Sequence, residues 1–255
     1  MLTDARVHAD GPDRASDDEV VIVTGAGRGL GLEITRTLVA RGARVVANYA
    51  SHSTALVELS ALTPDRVIAV QGDIGAERTS ERLVAVAAEL GGPSAVIHNA
   101  AITKDALLVR TSLADWDAVQ RVNLCGAFLL SKHAVRQMMR QRSGRLVYVS
   151  SIVAHLGNSG QASYAASKAG LDGLARSISQ EYARYGIETC VLAAGLINVG
   201  LGARLPATQQ QAKLDRVLRG AAEPQQIARI ATFLASPEAA HINATTVHAD
   251  GGVRF

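Results

Sequence analysis

Residues 20–24, Val-Val-Ile-Val-Thr, form an apolar β-branched run that passes without a break into Thr24-Gly25-Ala26-Gly27-Arg28-Gly29-Leu30-Gly31. A helical pattern begins directly afterwards. Glycines at this spacing permit a tight turn and let backbone N–H groups approach a pyrophosphate, while the following helix adds the positive end of its dipole. Such a turn is weak evidence in isolation. Between the first strand and first helix of a βαβ series it is a strong dinucleotide signature, with Gly25, Arg28, Gly29, Leu30 and Gly31 as predicted contacts.

The rest of the chain supplies that series. Strand patterns fall at 20–24, 44–48, 67–70, 95–98, 145–150, 188–192 and 246–248. Helical patterns lie between them near 29–41, 53–61, 76–90, 115–141, 162–185 and 224–235. Short connections between alternating elements predict right-handed βαβ units and a doubly wound parallel sheet, an α/β Rossmann fold. Residues 1–18 are polar and aperiodic and read as a flexible leader, leaving 19–255 as one domain. The stretch 199–220 breaks the rhythm with Gly200, Gly202 and Pro206 and is a candidate lid.

Composition narrows the function classes. Hydrophobic residues make up 48% but aromatics only 4%, so the core is built of small aliphatics suited to helices lying close on a parallel sheet. The charge of +3 and pI of about 9.1 come without any Lys/Arg block, which argues against nucleic-acid binding. Cys125 and Cys190 sit in apolar stretches and read as buried hydrophobes. The seven histidines are scattered without an H-x-x-x-H pair, so no metal site is expected. No apolar run reaches membrane-spanning length and no signal-peptide core is present, which predicts a cytoplasmic protein without a membrane partner.

The second strand bears on the choice of nucleotide. NAD sites place Asp or Glu about 20 residues past the turn to hold the ribose 2′-OH. Here the stretch reads Asn48-Tyr49-Ala50-Ser51-His52. With no carboxylate to repel a 2′-phosphate, NADP(H) is predicted, contacted by Asn48, Arg28 and Ser51; His52 reads as an exposed helix-start residue. After the third strand, Asp73-Ile74 faces the cofactor crevice, Asp73 as an acceptor for the adenine amino group. After the fourth comes Asn99-Ala100, where Asn99 either bridges strand ends or touches the cofactor.

Chemistry enters with Tyr164-Ala-Ala-Ser-Lys168. A phenol and an ammonium four residues apart lie on one helix face, and the ammonium is expected to lower the phenol pKa from about 10. Taken together, TGAGRGLG, the His-Asn-Ala-Ala tetrapeptide 98–101, Asn123, Ser151 and Y-A-A-S-K resemble the short-chain dehydrogenase/reductase family, from about residue 19 to Ala249-Asp250-Gly251-Gly252. The runs 102–108 and 157–164 most resemble β-ketoacyl-acyl-carrier-protein reductases. The resemblance implies that Tyr164 protonates the substrate carbonyl oxygen while the nicotinamide delivers hydride. Lys168 tunes Tyr164 and binds the nicotinamide ribose, Ser151 holds the carbonyl oxygen, and Asn123 anchors a water linking Lys168 to solvent. It further implies cofactor contacts from Ala100, Gly195 and Ile197, a substrate contact from Gln161, and a homotetramer.

Three positions depart from the family pattern. Ala101 stands where Gly is usual, Ala194-Gly195 replaces Pro-Gly, and Val199 replaces a Thr that contacts the carboxamide, leaving Asn198 or backbone groups for that contact. Trp116, with Leu113, Val119 and Val122, reads as core or subunit packing. Arg140, Arg142 and Arg184 are either a basic rim at the site entrance, suited to an acidic carrier protein, or ordinary solvated arginines. The reading is an NADPH-dependent ketoreductase acting on an acyl-carrier-protein-linked 3-oxoacyl thioester or a polyketide-like ketone. The alternatives are a short-chain alcohol or sugar dehydrogenase running oxidatively and a non-catalytic nucleotide-binding regulator.

Overall fold

A computed structural model describes residues 19–51, 53–199 and 217–253. The leader 1–18, His52 and most of the candidate lid lie outside the described residues.

The chain runs β1 (Val20–Val23), α1 (Gly29–Ala40), β2 (Arg44–Tyr49), α2 (Thr54–Leu62), β3 (Val67–Gln71), α3 (Glu77–Glu89), β4 (Ala95–His98), α4 (Leu113–Gln120), α5 (Gly126–Gln141) and β5 (Gly144–Ser151). There follow α6 (Val153–Leu156), α7 (Ala162–Tyr182), β6 (Ile187–Ala194), α8 (Pro224–Ala235) and β7 (Thr245–Ala249). The strands form one parallel sheet in the order β3-β2-β1-β4-β5-β6-β7. The chain therefore leaves β1 toward one edge and returns past it to β4, and that reversal opens a crevice beyond the strand C-termini.

Alternation along each strand explains the layers. Val21 and Val23 face Leu32, Ile34 and Ile227 on the side of α1 and α8. Val20 and Ile22 face Leu83, Leu130 and Leu171 on the side of α3, α5 and α7. Burial on both faces is what an all-parallel sheet requires. No helix among the described residues is long and apolar enough to cross a membrane.

One buried charge staples the far end of the sheet. Arg145, 4% exposed, forms an ion pair with Glu188 and donates to the carbonyls of Leu234, Ala239 and Ile242. The start of β5 is thereby tied to β6 and to the segment after α8.

The structure departs from the sequence reading in several ways; Cys190 is buried as expected, but Cys125 is exposed, on the solvent side of its helix. The helix expected over 115–141 is interrupted by a π-turn at Arg121–Cys125. Within it the Asn123 side chain makes long-range bonds to Ile102 and Ser167, which a count of apolar spacing does not contain. β6 extends to Ala194 because Ala193 and Ala194 pair with Ser150 and Ser151, although alanine has little strand preference of its own. Finally, Arg142 closes α5 ahead of β5 and Arg184 lies in the 3₁₀ turn ahead of β6. Arg140, Arg142 and Arg184 thus sit at the N-terminal end of the strands, opposite the crevice of the same chain, and form no rim around its entrance.

Candidate active site

A cavity of about 990 Å³ fills the crevice. Every residue proposed from the sequence as a cofactor or substrate contact lines it: Gly25, Arg28, Gly29, Leu30 and Gly31 from the turn, Asn48 and Ser51 beyond β2, and Asp73 and Ile74 beyond β3. Asn99 and Ala100, Ser151, Gln161, Tyr164, Lys168, Gly195 and Ile197 complete it. Asn123 alone lies behind the wall.

The turn is shaped to bring backbone close. Gly25 has φ of +65°, and a Cβ there would lie 2.8 Å from the Ala100 Cα. A Cβ on Gly31 would fall 2.2 Å from the Gly25 carbonyl oxygen. Neither position accepts a side chain, and the N-terminus of α1 faces the space so created. Ser53 was not singled out from the sequence. Its hydroxyl donates to the Gly27 carbonyl while accepting from the Leu56 amide at 3.3 Å, so it fastens the turn and caps α2 at once. Its position just before a helix-forming run was the available signal.

At the nucleotide end the wall past β2 consists of Tyr49, Ala50, Ser51 and Ser53, with Arg28 also present and no carboxylate. The Asn48 amide is turned inward, donating to the Gly72 carbonyl at 2.9 Å and to that of Val70 at 3.3 Å. Asp73 accepts from the Gly75 amide and pairs with Arg121 at 2.6 Å. Asn99 bridges strands, donating to the carbonyls of Thr24 at 3.1 Å and Gly25 at 3.3 Å.

At the other end Ser151, the last residue of β5, accepts from the Val153 amide at 3.2 Å and hydrogen-bonds Tyr164. Ser150 faces the opposite way and donates to the Lys168 carbonyl at 3.1 Å. Strand alternation therefore separates the two serines and leaves Ser151 beside the phenol. Gln161 donates to both oxygens of Asp105 at 3.1 Å and accepts from Asn158 at 2.8 Å. Asp105 lines the cavity too and went unnoticed in the sequence, because nothing local connects it to residue 161. Asn198 directs its amide to Glu223 at 2.8 Å.

One expectation about proton chemistry needs correction. Lys168 Nζ lies 5.8 Å from the Tyr164 ring centroid and donates to the Val149 carbonyl at 2.6 Å. Burial drives the lysine down to about 7. Burial also pushes Tyr164 up to about 12, with the Ser151 hydrogen bond pulling down and the Asp105 charge pushing up. Burial thus raises the phenol where the helix spacing had led to an expected lowering. The Asn123 side chain is fully engaged. Its two N–H groups go to the Ile102 carbonyl and the Ser167 hydroxyl, both at 3.0 Å, and its oxygen accepts from the Ile102 amide at 2.8 Å. It clamps the segment after β4 to α7, one residue before Lys168.

Comparison with known proteins agrees with this geometry. A family model described as enoyl-(acyl carrier protein) reductase matches residues 25–254. The chain is 37% identical over 238 residues to the 3-oxoacyl-[acyl-carrier-protein] reductase FabG of Vibrio cholerae, covering 93% of this chain and 98% of that protein. It is also 37% identical over 241 residues to the Escherichia coli protein of the same name, with the same coverage. To nodulation protein G of a Rhizobium species it is 37% identical over 234 residues, 91% of this chain and 95% of the other.

Proposed function

Because this chain belongs to the short-chain dehydrogenase/reductase family, we propose that it is an NADPH-dependent ketoreductase that converts a 3-oxoacyl thioester, presented on an acyl carrier protein, to the secondary alcohol. The observation that carries the reading is the meeting of Ser151, Tyr164 and Lys168 at one end of a cavity whose other end is the glycine turn. The turn fits a dinucleotide, since backbone comes closer at Gly25 and Gly31 than any side chain would allow. A nicotinamide nucleotide held there supplies the hydride. A 2′-phosphate is favoured by Arg28 and Ser51 and by the missing carboxylate beyond β2.

The chain's own groups do the remaining work. Ser151 donates to the ketone oxygen and stabilises the charge that develops on it. Tyr164, protonated at neutral pH, gives its proton to the same oxygen. Lys168 holds the ribose and returns a proton to the phenol. Asn123 supports this arrangement through its side-chain bonds to Ile102 and Ser167. Gln161 and Asp105 border the substrate side.

The test is an assay of nucleotide consumption with 3-oxoacyl thioesters, free and carrier-linked, against polycyclic and simple ketones, each with NADPH and NADH. Faster turnover of the thioesters and preference for NADPH are expected. Turnover confined to simple alcohols and ketones, or equal use of NADH, would overturn the respective half of the reading.

A further inference from the structure

Four charged side chains line the cavity: Arg28, Asp73, Asp105 and Lys168. Arg28 and Asp73 stand at the nucleotide end, where Asp73 is paired with Arg121. Lys168 is 1% exposed and bonded to the Val149 carbonyl. That leaves Asp105 as the exposed charge of the substrate side. Its carboxylate is held by neutral groups. Gln161 Nε2 donates to both of its oxygens at 3.1 Å, and the Thr103 hydroxyl donates to one of them. Gln161 is itself oriented by the Asn158 amide at 2.8 Å. The adjacent cation, Lys104, turns instead to Asp115 at 3.6 Å, and no ion pair reaches Asp105 among the described residues. The carboxylate is fixed in place without being neutralised.

Its place is on the wall that carries the phenol. The Ala106 amide donates to the Gly160 carbonyl at 2.9 Å, which lays the segment after β4 against the start of α7. That helix begins on Gln161, with Tyr164 three residues further on, and both line the cavity together with Asp105. The phenol registers the charge: burial is the main cause of its raised pKa, and Asp105 adds to the rise. A 3-oxo compound with its ketone oxygen at Ser151 and Tyr164 has its carboxyl carbon only two bonds from the ketone carbon. As a thioester, ester or amide that carboxyl is neutral. As a free acid it is an anion brought up to a second anion in a cleft with low-dielectric walls, and the two repel.

We propose that Asp105 is a specificity-determining residue: its fixed, unneutralised carboxylate excludes free 3-oxo acids from the Tyr164 end of the cavity and admits their neutral carboxyl derivatives. The Gln161 and Thr103 bonds keep the charge from swinging out into solvent. The placement of the ketone rests on the ketoreductase reading.

Acetoacetate and acetoacetamide form a test pair of nearly equal shape, of which only the first is charged at neutral pH. Binding is read first, by NMR titration with NADP⁺ present so that nothing is reduced. The parent should bind the amide at least about fivefold more tightly than the acid, and Asp105→Asn, which keeps an oxygen for Gln161 and Thr103, should bring the ratio within about twofold. Asp105→Glu keeps the charge and should keep the parent's preference. In the parent the preference should shrink in about 0.5 M salt, because an exposed carboxylate is screened. The ratio of kcat/KM with NADPH should follow the ratio in binding. A binding contrast that holds while no 3-oxo compound is reduced would remove the ketoreductase reading and leave the charge selection standing. Equal binding of the two compounds by the parent, an unchanged ratio in folded Asp105→Asn, or Asp105→Glu as permissive as Asp105→Asn would overturn the proposal.

Discussion

His98, buried at the end of β4, makes a thermodynamic prediction that needs no substrate. Burial holds its pKa at about 3 in the folded chain, and it returns to about 6.5 on unfolding. Between those values the unfolded state binds the extra proton, so stability is complete above pH 6.5 and falls as pH drops toward 3. Each pH unit inside the window costs up to about 1.4 kcal/mol from this one group. Urea melts at pH 4–7 should therefore show a shallower pH slope for His98→Asn than for the parent. Equal slopes would mean that the imidazole titrates normally. At Gly31 the argument is steric. A Cβ 2.2 Å from the Gly25 oxygen and 2.6 Å from Asn99 Nδ2 forces the turn itself to move, so Gly31→Ala should weaken nucleotide binding at least about tenfold by calorimetry. Tyr164→Phe removes the phenolic hydroxyl, and with it the proton donor: kcat should fall on the order of 10³-fold with nucleotide affinity, read by fluorescence titration, within about twofold.

Among the elements, those whose identity is written in local pattern were legible in the sequence and those set by distant partners were not. β1 with its glycine turn, and β4, could be placed from β-branched runs and short connections. The catalytic segment on α7 was recognisable because Tyr164 and Lys168 share one helical face. At Asn123 the sequence offers a cap or kink in a long helix; the π-turn and the side-chain bonds to Ile102 and Ser167 join residues that only folding brings together. Protonation states escaped for a related reason. Spacing places an ammonium near a phenol but says nothing about desolvation, and burial reversed the expected direction for Tyr164. The π-turn should be sensitive where an ordinary helix is not: Asn123→Ala leaves both polar groups of Ile102 unpaired, and should lower kcat more than tenfold with α-helical content by circular dichroism unchanged. Retained kcat would reduce Asn123 to a helix residue of no special role.

For the whole molecule, the exposed apolar residues Leu107, Leu108, Val109 and Leu113, with Phe128 on α5, form more greasy surface than a monomer readily keeps in water. That surface predicts self-association, and the family resemblance predicts a homotetramer, four times the 26.7 kDa chain, by light scattering. A monomeric mass at micromolar concentration would count against it. Arg145 governs events at the other end of the sheet. Arg145→Met removes four charge-assisted contacts and should cost at least about 2 kcal/mol by thermal denaturation, leaving the cavity residues in place. The same side chain imposes a schedule on synthesis. Its carbonyl partners lie 89, 94 and 97 residues further along, about 5–20 s of translation at ordinary elongation rates. Until they emerge, β5 carries a cation that cannot be buried, so Ser151 at its far end has no fixed address. A ribosome-bound chain halted before residue 234 should remain protease-sensitive across β5, and one extended past residue 242 and clear of the exit tunnel should not.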